Sequence, residues 1–69
     1  MKLDTTGLDV YESHRSWQVG DHTIHVTLYS TRWRWDLYGP NGLHLTGDEP
    51  SPGRAAHFAL HALEQLVTA

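Results

Sequence analysis

Six of the chain's 69 residues are histidine, and histidine is where chemistry would be sought first. His57 and His61 lie four residues apart, with Glu64 three further on. On a helix this spacing brings the side chains to one face, where two imidazoles and a carboxylate can hold zinc and leave open positions. The H-E-x-x-H pattern is missing and no third strong ligand accompanies the trio. A solvated helix face is therefore the expectation, and no metal or other cofactor is assigned. A second group comprises His25, Tyr29, Arg32, Arg34, Tyr38 and His44. Guanidinium forks with imidazole and phenol rings suit a phosphate, a carboxylate or the surface of a protein partner. His22 would join this group from the end of a neighbouring hairpin. Protonating every histidine would add six charges to a formal net charge of −3, so the electrostatics are sensitive to pH near ~6.

Nucleophilic and general acid–base catalysis find little support. Ser13, Ser16, Ser30 and Ser51 lack the glycine context of a nucleophile elbow, no glycine-rich loop precedes a helix, and no carboxylates are obviously paired. A short chain also encloses little volume for a pocket. A non-catalytic protein is expected.

Composition bounds the rest. At 69 residues the chain makes one domain, burying only about 60% of its unfolded surface. It has no cysteine, so disulfides and thiolate metal sites are excluded. No apolar run approaches the ~20 residues of a membrane-spanning helix, and Met1-Lys2-Leu3-Asp4 does not begin a signal peptide. A soluble cytoplasmic protein without a membrane partner is the expectation. The negative net charge argues against a simple nucleic-acid coat.

The elements that must position these residues follow from alternation. From Arg32 to Tyr38 apolar and polar residues alternate, with Trp33, Trp35 and Leu37 on one side and Arg32, Arg34, Asp36 and Tyr38 on the other. That is the pattern of a half-buried strand. Pro40-Asn41-Gly42 makes a three-residue hairpin loop that sets Gly39 opposite Leu43 and Leu37 opposite Leu45. Upstream, Ser16–Val19 reads as a first strand and Thr23–Tyr29 as a second. They are joined through Gly20-Asp21, so that Val19 faces His22 and Trp17 faces Ile24. The turn at Tyr29-Ser30-Thr31-Arg32 lacks glycine, but an even-length loop there keeps Leu28 and Trp33 on one face. Residues 1–12 read either as a disordered lead-in or, around Leu8-Asp9-Val10, as a short edge strand.

One sheet face then collects Trp17, Val19, Ile24, Val26, Leu28, Trp33, Trp35, Leu37, Leu43 and Leu45, and it requires a cover. Asp48-Glu49-Pro50 breaks the last strand, Ser51 suits an N-cap and Pro52 the first helical position. The helix that follows carries Ala55, Phe58, Ala59, Ala62, Leu63 and Leu66 on its apolar arc, flanked by Ala56, Leu60 and Val67. Arg54, His57, His61, Glu64, Gln65 and Thr68 lie opposite. Alanines at its centre allow close approach to Trp33 and Trp35. The expected fold is α+β: an antiparallel meander of three to four strands with one C-terminal amphipathic helix on one face, ββββα.

The order of features, from Trp33 through the hairpin to the alanine-rich helix, is similar to that of the plant ethylene-response-factor DNA-binding domain and of phage-type integrase arm-binding domains. That resemblance implies DNA or RNA binding through Arg32, Arg34 and their aromatic neighbours, although those domains are usually basic and this chain is acidic. The first expectation is instead a protein-interaction module using the polar sheet face or an edge strand, with a homodimer as the expected assembly.

Overall fold

The computed structural model describes residues 2–68, excepting the side chain of Thr68. Strands β1 (His14–Val19), β2 (His22–Tyr29), β3 (Arg32–Tyr38) and β4 (His44–Glu49) form one antiparallel sheet in the order β1-β2-β3-β4, and helix α1 (Pro52–Thr68) follows. The architecture is the ββββα meander that alternation and capping predict.

Turn chemistry sets each register. Gly20 takes a φ of 63° and places Val19 opposite His22 and Trp17 opposite Ile24. Positive φ costs a glycine little. At the next turn Ser30 takes a φ of 58°, and Tyr29 pairs with Arg32 across a two-residue loop. In the third hairpin Asn41 and Gly42 both have positive φ, Gly39 N–H donates to Leu43 O (3.1 Å), and Leu37 faces Leu45. β1 starts at His14 rather than Ser16, and β2 at His22 rather than Thr23. β4 also runs on through Asp48 and Glu49, which pair with Arg34 and Trp33, so only Pro50 ends it.

The helix begins as its sequence dictates. The Ser51 hydroxyl accepts the Arg54 N–H at 3.3 Å, satisfying one of the donors a helix start leaves free. Its buried arc differs from expectation. Ala55, Ala56, Ala59, Leu60 and Leu63 are buried, whereas Phe58, Leu66 and Val67 are exposed. The arc is turned by roughly a sixth of a revolution toward Ala56 and Leu60. The N-terminal segment is the cause: Leu3 and Leu8 join the core together with these residues.

That segment does not add a strand. Residues around Leu8–Glu12 form turns, in which the Gly7 carbonyl accepts N–H groups from Val10, Tyr11 and Glu12, and Val10 points to solvent. Met1 lies outside the described residues. Arg15 ties the segment down. It donates to Asp4 O (2.7 Å) and Thr6 O (2.6 Å) while its guanidinium pairs with Glu12. The hydrogen bonds to Glu12 raise the Arg15 pKa, so the cation persists. The Thr6 N–H, bonded to Asp4 Oδ1 at 2.9 Å, holds the Asp4 carboxyl below the usual carboxylate range.

Ile24, Val26 and Leu37 are fully buried at the centre of the core. The two tryptophans of β3 differ. Trp33 is 2% exposed, but Trp35 is only partly buried at the core margin. Trp35 lies across Gly47, its partner on β4, where an added Cβ would come within 2.6 Å of the indole nitrogen. Only Trp33, then, is enclosed with Ala55 and Ala59; Trp35 and Ala62 border the cluster. Leu28 and Leu45 lie at the edges of the apolar face and remain exposed.

Candidate interaction face

The register decides which side chains share the sheet face away from the helix. Directly opposed residues lie on one face, and successive residues on opposite faces. His25 faces Asp36, Thr27 faces Arg34, Tyr29 faces Arg32 and Tyr38 faces His44. All of His25, Tyr29, Arg32, Arg34, Tyr38 and His44 therefore share the open face. His14 and Ser16 on β1 and Thr46 and Asp48 on β4 join them.

Within that face the side chains divide into two groups. One is a line of rings crossing all the strands. His14 stacks on His25 (centroids 5.4 Å), His25 meets Tyr38 edge-on (5.7 Å), and Tyr38 stacks on His44 at 4.4 Å with planes 6° apart. His44 Nε2 bonds Asp36 Oδ1 at 2.9 Å, and the carboxylate is well sheltered. His14 Nε2 and His25 Nδ1 share one hydrogen bond of 3.2 Å, so one of these nitrogens must present a lone pair to the other's N–H. Protonating both rings would set donor against donor and break the link.

The second group lies beyond Thr27. Arg34 rests over the Tyr29 ring (5.3 Å) with Nε 3.9 Å from Asp48 Oδ1, and Arg32 Nη2 reaches Asp48 O at 3.4 Å. The two arginines are matched on this face by Asp36 and Asp48. With the histidines neutral, the face carries no excess of positive charge. Such a surface is polar, ring-rich and electrically balanced.

His22 does not belong to it. Its partner Val19 lies on the helix side, and so does His22, which packs against Gly39 with Nδ1 2.9 Å from Asp21 Oδ1. His22 also lines a recess of about 330 Å³ with Val19, Leu60, Leu63 and Val67. His57, His61 and Glu64 are exposed on the helix, and no three potential metal ligands come together among the described residues.

His14 lies outside the strand that sequence alternation marks, Ser16–Val19, because β1 begins two residues earlier. Extending the alternation back from Ser16 would have placed it beside His25. Nor does alternation pair Asp36 with His44, although both are polar residues of the hairpin around Pro40-Asn41-Gly42. Comparison of the chain with protein-family models, with curated proteins and with solved structures finds no match to any of them.

Proposed function

We infer that this protein is a small non-catalytic interaction module whose helix-free sheet face is the contact surface for a protein partner. The observation that carries this reading is the continuous line His14–His25–Tyr38–His44 across all the strands, flanked by the Tyr29–Arg34 pair. Tyrosine and arginine are the residue types most enriched at interface hot spots, and rings held by their neighbours lose little entropy on binding. The balance of Arg32 and Arg34 against Asp36 and Asp48 favours a protein over a polyanion.

The test is crosslinking and capture from the native host with the wild-type chain and with Tyr38→Ala and Arg34→Ala. A partner retained by the wild type and lost by both folded variants supports the reading. Oligonucleotide binding by fluorescence polarisation is the counter-test. Tight binding that falls steeply with salt, through counterion release, would replace the protein partner with DNA or RNA.

A further inference from the structure

β4 is a free edge. Among the described residues it pairs only with β3, and it contains neither proline nor lysine, two common edge protectors. The hairpin register tells which of its peptide groups are unused. Gly39 N–H bonds Leu43 O, so the hydrogen-bonded pairs recur every second residue, at Leu45, Gly47 and Glu49. The N–H and C=O groups of His44, Thr46 and Asp48 consequently point away from the sheet.

The two flanks of the helix differ. Leu60 and Leu63 face the β1–β2 turn across the recess they line with Val19 and His22, and Ala56 and Leu60 border Leu3. The opposite flank of the helix bears Phe58, which is 36% exposed and lies beneath Arg54 and edge-on to His57. Leu45, on the helix side of β4, is 38% exposed.

We propose that two copies of this chain pair antiparallel through β4, about a two-fold axis at Thr46. Three independent requirements meet at that register. Directly opposed residues must share a face, and Thr46 opposite Thr46 with His44 opposite Asp48 satisfies this. Opposed residues must also both present unused peptide groups, and His44, Thr46 and Asp48 are the residues that do. Charges must not collide, and this axis sets each imidazole against a carboxylate, once on either side. Moving the axis to Gly47 sets His44 against Pro50, beyond the strand and without a carboxylate, and moving it to Leu45 leaves Asp48 without a partner. The Asp48 carbonyl, already approached by Arg32, can still accept a second bond. Pairing would merge the two sheets into one, bring the exposed Leu45 side chains of the two copies to the same seam, and join the two open faces into a single platform. The inference rests on the β4 edge and not on what binds the open face.

Light scattering during size exclusion, from micromolar to submillimolar concentration, tests it. The mass should rise from the 7.8 kDa of one chain to twice that. Thr46→Pro removes a central outward N–H, at a type of position where edge strands accept proline, and should give a folded monomer. His44→Asp should weaken the dimer about tenfold by opposing like charges at both ends, and adding Asp48→Lys should restore it. A wild-type chain that stays at 7.8 kDa overturns the proposal. So does a dimer unchanged in folded Thr46→Pro, or one indifferent to His44→Asp. Should Thr46→Pro fail to fold, the charge exchange decides. A dimer broken by Tyr38→Ala but not by the β4 variants would move self-association to the open face and sink the edge. Loss of the edge dimer with partner capture intact leaves the proposed function standing, and the converse result separates them equally well.

Discussion

The two faces of the sheet are built from the same strands and hold together by different physics. On the helix side Ile24, Val26, Trp33 and Leu37 are sealed beneath α1 and the N-terminal segment, and their contribution is the removal of apolar area from water. On the open side His14, His25, Tyr38 and His44 touch one another across strands with water above them, and Arg34, Tyr29 and Asp48 do the same at the other end. Cross-strand pairs of that kind stabilise by only about 0.2–1 kcal/mol each. The covered face therefore sets stability, while the open face is free to vary with little effect on folding. A surface so decoupled from the core can be tuned for binding.

The sharpest way to break this contrast is to empty the covered face. Trp33→Ala should cost about 3–5 kcal/mol, enough to unfold much of so small a domain, measured by thermal or urea denaturation. Trp35→Ala should cost less, since Trp35 sits at the margin over Gly47; equal losses from the two would show that the β3 tryptophans are equivalent after all.

Next in size is Gly47→Ala. The new methyl would fall on the Trp35 indole, and overpacking of this sort typically costs about 1–3 kcal/mol. The Trp35→Ala background should erase most of that penalty, a coupling readable in a double-mutant cycle. On the open face, Tyr38→Ala, His25→Ala and Arg34→Ala each remove two cross-strand contacts and should each cost no more than about 1–2 kcal/mol, well short of Trp33→Ala. A loss as large as that of Trp33→Ala from any of them would mean that the ring line supports the fold.

The smallest effects belong to the N-terminal segment. Arg15→Gln should raise amide exchange at Thr6 and Leu8 and spare Ile24 and Leu37, because the guanidinium ties the segment through Asp4 O and Thr6 O. Uniform exchange throughout would make the segment part of the cooperative core. Acid titration probes the same strap. The folded-state pKa of Asp4 is lowered, so its contribution is present above the ordinary carboxylate pKa and is lost as pH falls below that range. Protection of the Thr6 amide, measured against the unstructured exchange rate at each pH, should thus persist at mildly acidic pH and fall only in stronger acid. Asp4→Asn should remove that acid step.

Alternation and turn chemistry by themselves determined most of this architecture. Pro40-Asn41-Gly42 and Gly20-Asp21 each permit one loop length, and one loop length permits one register, because a slip by one residue would turn Trp33 and Leu37 out to water. Those registers bring His25, Tyr29, Arg32, Arg34, Tyr38 and His44 to one face, and the pairing of Val19 with His22 already implied that His22 faces the other way. Ser51 and Pro52 likewise marked the helix start to the residue. Tertiary structure decided what local pattern cannot encode. Which flank of α1 is buried depends on the N-terminal segment, far away in sequence, whose Leu3 borders Ala56 and Leu60 and whose Leu8 joins the same core, while Phe58 stays outside. Which tryptophan is enclosed depends on Gly47, which offers Trp35 a shelf on β4. Arg15, which alternation puts on the apolar side opposite Val26, is accommodated there only because Glu12, Asp4 and Thr6 fold back to meet its guanidinium. Periodicity reports the face a side chain takes, and burial is settled by whatever distant segment comes to lie on that face.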